Sequence, residues 1–168
     1  MRIVGIDPGL EITGYAVLDS ADGNVSIVDA GILKTNRRWE LAKRLVVLSK
    51  ELAELLAEHE PEVMAVEELY SHYRFPRTSI LMGHARGIIL EAAGKLDMKV
   101  MAYAATRVKK SITGNGRASK EQVQRAIKET FALKKIPQPA DVADALAISL
   151  CCVYELDKSA LAGLAVKQ

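Results

Sequence analysis

The order of elements predicts an α/β protein with a five-stranded mixed sheet flanked by helices. Three observations carry that expectation. The first third of the chain holds three strand-like runs joined by short turns, an antiparallel meander. The apolar period then switches to that of a helix. From there to residue 103, short apolar strands alternate with helix-length segments, an order that gives a mixed sheet with helices on its faces.

Arg2–Asp7 reads RIVGID, a short buried strand ended by Pro8-Gly9. Thr13–Asp19 is the second strand, and Asp22-Gly23 marks a hairpin into the third, Val25–Leu33. Between Trp39 and His59, Leu41, Leu45, Leu48, Leu52, Leu55 and Leu56 form a helical stripe, and Pro61 follows. Glu62–Val66 is the fourth strand, Thr78–Leu96 a helix, and Lys99–Tyr103 the fifth strand. Ala105–Ile112 is a short helix stopped by Gly114-Asn115-Gly116. Ser119 is a good N-cap for a helix over Lys120–Leu133. Lys134–Pro139 is a linker, and a last helix runs from near Ala140 to about Leu156. The order is β-β-β-α-β-α-β-α-α-α, with one domain over residues 1–156 and a short, frayed C-terminal tail over 157–168.

Composition narrows the class. The chain has 168 residues, 49% apolar and 26% charged, which is globular and not disordered. Its two cysteines, Cys151 and Cys152, are adjacent, which excludes a disulfide scaffold and a C-x-x-C zinc site. They read as core residues of the last helix. The sequence shows no membrane span and no signal-peptide pattern, so the expected location is cytoplasmic.

The net charge of +2 hides an asymmetry. Thr106–Lys135 carries nine basic residues against two acids, a balance of +7 that leaves −5 for the rest. Clustered Lys and Arg are the footprint of phosphate binding, although a solvated helix face gives the same pattern.

Four acids stand where they can meet. Asp7 ends the first strand, Glu67-Glu68 ends the fourth, and Asp141 and Asp144 share one face at the start of the last helix. Asp7 alone also reads as a turn residue before Pro-Gly, and Asp141 as an early-turn acid suited to the helix dipole. Asp144 fits the bland reading less well, because Val142–Ile148 is otherwise apolar and an unpaired buried carboxylate is costly. Clustered carboxylates repel one another unless cations neutralise them. All-oxygen ligands suit Mg²⁺ or Mn²⁺ and not zinc. Two such ions ~3.5–4 Å apart would clamp both oxygens of an in-line phosphoryl displacement.

GIDPGLEITGY (5–15), AVEELY (65–70), GHARG (83–87), the 108–124 stretch and ADVADALAIS (140–149) resemble the bacterial RuvC family of Holliday junction resolvases. The match in order and spacing covers roughly Met1 to Tyr154. It implies a ribonuclease H-like fold with three of the five strands antiparallel. It implies a homodimeric, Mg²⁺-dependent endonuclease with two ions per site, Mn²⁺ substituting. That enzyme cuts two strands of like polarity at a four-way junction, leaves 5′-phosphates and works with a RuvA–RuvB branch-migration complex.

The family's catalytic and metal-binding carboxylates fall on Asp7, Glu67, Asp141 and Asp144, with Asp7 bridging both ions. Its functional lysines fall on Lys109 and Lys120, and its junction-centre aromatic on Tyr70, where a core tyrosine is the plain alternative. After Tyr70 the chain departs from the family's usual pattern with more rings and one more residue. Tyr70, Tyr73 and Phe75 alternate with Arg74 and Arg77, a composition suited to splayed bases or to a dimer contact. Lys110 and Arg117 complete the expected DNA-binding set. Gly83, Ala85 and Gly87 would let helices approach closely, and His84 would line the same dimer face. The rivals are another ribonuclease H-like nuclease (YqgF-like or transposase-type) and a non-catalytic junction-binding module.

Overall fold

The computed structural model describes residues 1–69 and 76–165. Tyr70, Tyr73, Arg74 and Phe75, four of the expected DNA contacts, lie outside the described residues. The elements are β1 (Arg2–Asp7), β2 (Ile12–Ala21), β3 (Asn24–Lys34), α1 (Leu41–His59), β4 (Val63–Glu67), α2 (Pro76–Lys95), β5 (Lys99–Tyr103), α3 (Ala105–Thr113), α4 (Lys120–Thr130) and α5 (Ala140–Ala165). The sheet order is β3-β2-β1-β4-β5. β1–β2 and β2–β3 pair antiparallel, while β1–β4 and β4–β5 pair parallel. This is the expected mixed sheet of five strands.

Side chains of a strand alternate between faces, and the two cores follow that alternation. Val4, Ile6, Val17, Met64 and Val66 face α1 and α2, where Leu48, Leu52, Leu56, Ile89 and Ala93 cover them. Ile3, Ala16, Leu18, Val63, Ala65 and Tyr103 face the opposite layer of α3, α4 and α5. Most of α5 from Val142 to Val153 is buried, which explains its nearly continuous apolar sequence.

Several boundaries shift by one or two residues from the expectation, and three differences at helix ends have a visible cause. α1 begins at Leu41 and not Trp39, because Asn36 closes a turn by accepting the Arg38 N–H at 2.9 Å on its side chain and the Trp39 N–H at 3.0 Å on its carbonyl. α4 stops at Thr130, short of Leu133, where Ala132 turns into the left-handed region at φ 49°. α5 does not end near Leu156 but continues to Ala165 through an alanine- and leucine-rich stretch of high helix propensity. The segment 157–165 is therefore helical and not a frayed tail.

The Ser119 cap is present in full. Gln122 N–H donates to Ser119 Oγ at 3.3 Å, and Ser119 N–H donates to Gln122 Oε1 at 2.8 Å. Ser119→Ala is expected to cost about 1 kcal/mol and to lower Tm by about 2–4 °C in calorimetry.

Ala85 does not belong to an outward face, because it is fully buried in the protein's own core. Gly87 and His84 are exposed, and a Cβ added at Gly87 would meet nothing within 4 Å. Cys151 and Cys152 are both buried core residues, as expected.

Candidate active site

Strand parity decides which acids meet. Ile3, Gly5 and Asp7 point one way along β1, and Val63, Ala65 and Glu67 point the same way along β4. Ile6 stands opposite Val66 in the parallel register. Asp7 and Glu67 therefore leave adjacent strand ends, ~4.8 Å apart in the sheet, toward the α5 face. Glu68 is the next residue along and is exposed, its N–H held by the Tyr103 carbonyl at 2.9 Å.

Two glycines bring α5 down onto those strands. A Cβ at Gly5 would lie 2.6 Å from the Ala145 carbonyl oxygen and 2.6 Å from Ser149 Cβ. A Cβ at Gly14 would lie 2.2 Å from the Asp141 carbonyl oxygen. Gly14 stands opposite Asp7 in the β1–β2 register, so the start of α5 rests directly beside Asp7. Close backbone approach is what glycine in a strand interior permits. Neither glycine was singled out from the sequence, although glycine inside an apolar strand is a readable signal.

The electrostatics follow from this proximity. Burial pushes the Asp7 carboxyl up to about 8, with further upward pressure from Glu67, Asp144 and Asp141, while Lys120 opposes it. Burial also raises Glu67; a hydrogen bond with Asp7 lowers it, Asp144 raises it, and Lys109 and Lys120 lower it.

Lys120, the first residue of α4, places Nζ 2.7 Å from Asp144 Oδ2. Burial lowers the Lys120 ammonium's pKa, but the bond to Asp144 and the charges of Asp141 and Asp7 outweigh that and raise it overall. Glu67, Lys109, Lys120 and Asp144 line one cavity of about 250 Å³ floored by Val108, Val123 and Ile148. Lys110, Arg117 and Arg77 are exposed. Arg107, counted in the basic segment, is engaged elsewhere: it bonds Glu155 at 2.8 Å and lies over the Tyr103 ring. Arg86 of α2 was not anticipated; its Nε donates to the Glu67 carbonyl at 3.3 Å and ties down the end of β4.

Among the described residues no three of these acids lie close enough together to hold one ion as they stand. Asp144 is drawn instead to the Lys120 ammonium. The donor set still fits a hard divalent cation: it is all carboxylate oxygen, and Glu67, Asp144 and Asp141 each disfavour the negative charge of Asp7.

A family model described as crossover junction endodeoxyribonuclease RuvC matches residues 3–152. The chain belongs to the RuvC family. A RuvC of Rhodopirellula baltica is 51% identical over 152 residues, covering 90% of this chain and 85% of that protein. The RuvC of Thermosipho melanesiensis is 40% identical over 155 residues, covering 92% and 98%. Thermus thermophilus RuvC superposes with a TM-score of 0.84 at 30% identity, covering 95% of this chain and 97% of that one. The same protein in complex with a Holliday junction substrate gives 0.87 at 31% identity, covering 95% and 96%. The ribonuclease H-like RuvC fold expected from the sequence is thus the fold of this chain. No helix among the described residues is long and apolar enough to cross a membrane.

Proposed function

We propose that this RuvC-family endonuclease resolves four-way DNA junctions by paired nicks in strands of like polarity. The observation that carries the reading is the meeting of carboxylates from β1, β4 and α5 beside Lys120. They meet at the end of the sheet where Asp7 is half-buried and its charge is disfavoured. A centre that repels its own negative charge must take a cation before it can accept a phosphate.

Asp7, Glu67, Asp141 and Asp144 are the residues that would hold the metal. Two Mg²⁺ ions, or Mn²⁺ in their place, would supply Lewis acidity toward the phosphate oxygens and make water a better nucleophile. The acids orient the scissile phosphate and its nucleophile along one line. Attack of water oxygen on phosphorus breaks the P–O3′ bond and leaves a 5′-phosphate and a 3′-OH. Lys120 is placed to exchange Asp144 for a phosphate oxygen, and Lys109 faces the same cavity. The apolar floor of Val108, Val123 and Ile148 keeps bulk water from that side.

Lys110, Arg117 and Arg77 are exposed cations suited to the DNA backbone, and Tyr70, Tyr73, Arg74 and Phe75 supply rings and cations for opened bases. We assign the nuclease domain to residues 1–156. Homodimerisation through α2 is supported by its outward face, where Ile80, Gly83 and Gly87 recur at helical spacing and Ile80 is 61% exposed. A RuvA–RuvB complex is the proposed branch-migration partner, in the cytoplasm.

The test is a nicking assay on a four-way junction with Mg²⁺ against EDTA, with both cut positions mapped. Symmetric, metal-dependent nicks on the junction, absent on linear duplex and RNA, are the expected result. Binding without turnover would favour a non-catalytic module, and RNA cleavage a YqgF-like enzyme. Lys120→Gln is expected to lower the single-turnover nicking rate by roughly 10²–10³ while changing Tm little, since its ion pair is half-exposed.

A further inference from the structure

The stretch from Lys34 to Arg44 reads KTNRRWELAKR, five cations and one acid outside the basic segment already described. It links β3 to α1. Among the described residues, only Arg44 of the five cations is buried and hydrogen-bonded within the fold. Its Nε donates to Thr35 Oγ1 at 3.0 Å. Lys34, Arg37, Arg38 and Lys43 are exposed, and among the described residues none of them is in an ion pair with an acid. Glu11 and Glu40 are the exposed acids nearby, so cations outnumber acids two to one on this surface.

The loop is held firmly. Thr35 is 2% exposed; its hydroxyl donates to the Leu10 carbonyl, and its N–H donates to the Glu11 carbonyl at 3.0 Å. The Asn36 turn fixes Arg38 and Trp39. Lys43 Nζ sits 4.6 Å from the centroid of Trp39, the only tryptophan, which positions that ammonium over the ring. The backbone that carries these cations is tethered, so an anion that covers them need not order the loop itself.

Register gives the loop's place relative to the acids. Asp7 pairs with Gly14, and Gly14 pairs with Ile32. Lys34 lies two residues beyond Ile32, past the same end of the sheet at which Asp7 emerges. Two strand spacings across and two residues along place its Cα ~12 Å from that of Asp7. That distance falls well within one helical turn of a duplex, ~34 Å. The Lys109–Lys120 cations follow β5, at the opposite edge of the sheet. The acids of β1 and β4 therefore stand between two basic flanks.

We propose that the Lys34–Lys43 loop is a second phosphate-binding surface. It grips the backbone of a duplex arm on the side of the cut away from Lys109 and Lys120. This deepens the junction-resolving reading and rests on it. The contact is to phosphate, so it is independent of base sequence, and it sets how a junction arm lies across the acids.

The test compares the wild-type protein with the triple variant Lys34→Gln, Arg37→Gln, Arg38→Gln. Junction affinity is measured over a salt series in EDTA, where no cutting occurs. Each lost phosphate contact lowers the log–log salt slope by about 0.9, so a fall of about 2–3 is expected, with affinity at low salt down roughly 10–100-fold. A slope within about 0.5 of wild type overturns the proposal and would direct the loop to an acidic protein partner instead. All three residues are exposed, so the unfolding curve should not move.

A second measurement gives position. Cys151 and Cys152 are buried at 3% and 0% exposure, so a thiol-linked photo-crosslinker placed on Arg37→Cys or Lys110→Cys reports from that residue alone. The two adducts should flank the nick on opposite sides. An Arg37→Cys adduct confined to protein would overturn the loop assignment. Loop-dependent binding by a wild-type protein that never nicks a junction would instead overturn the enzymatic reading and leave the loop contact standing.

Discussion

Asp7→Asn is expected to abolish junction nicking, by at least about 10³-fold, while junction binding in EDTA stays equal or tightens. The substitution keeps the shape but removes the charge at the centre of the acid group. Binding should not suffer, because a carboxylate facing phosphate opposes association when no cation lies between them. The same variant should change the pH dependence of stability. The Asp7 carboxyl is raised from 3.8 to about 8 in the folded chain, first by burial and then by Glu67, Asp144 and Asp141. Between those two values the native state binds more protons than the unfolded state. Metal-free protein therefore keeps this contribution in full below about pH 4 and loses it as pH rises toward 8. The loss is on the order of a few kcal/mol, shared with Glu67. Urea midpoints in EDTA at pH 5 and pH 8.5 should differ for the wild type and lie closer together for Asp7→Asn. Residual Mg²⁺-dependent nicking by the variant, or an unchanged pH slope, would remove Asp7 from the centre.

Gly5→Ala and Gly14→Ala are expected to act through α5. At Gly5 the new methyl meets the Ala145 carbonyl and Ser149, both parts of a buried helix backbone or its first side-chain atom. Nothing flexible is there to move aside, so the whole helix must lift from β1. Overpacking of that kind costs roughly 3 kcal/mol, a Tm fall of roughly 6–12 °C at this chain length. At Gly14 the clash is with the Asp141 carbonyl, at the first turn of α5, where displacement is easier than in the middle of the helix. Gly14→Ala should therefore lose less stability than Gly5→Ala but more nicking activity, since it moves Asp141 away from Asp7. Calorimetry paired with single-turnover nicking separates the two. Equal damage to both properties in both variants would show that the glycines support the fold only.

Much of the site was legible because each acid broke a local pattern. Asp144 interrupts an apolar helix, and Asp7 and Glu67 end apolar strands. The choice between Glu67 and Glu68 came first from family resemblance, and strand parity now gives it a physical basis. Other features were not legible. Arg107 belongs to the basic segment by sequence but bonds Glu155, a partner 48 residues away. Ala85 looked like part of a helix-approach motif, yet its side of α2 covers the sheet. The loop from Lys34 to Lys43 is unremarkable as a string, and only the β1–β2–β3 register brings it to the Asp7 end of the sheet.

By itself, the sequence determined the kinds of element and their order, because periodicity and charge are local properties of a chain, and its motifs determined the family and nominated four acids. Tertiary structure decided which groups act on one another. Parallel pairing of β1 with β4 set Asp7 beside Glu67, and two glycines let the start of α5, with Asp141 and Asp144, rest against the same end of the sheet. Lys120 took Asp144 as its partner only because a capped α4 delivers it there. Those outcomes depend on distances between segments far apart in the chain, which no local pattern encodes.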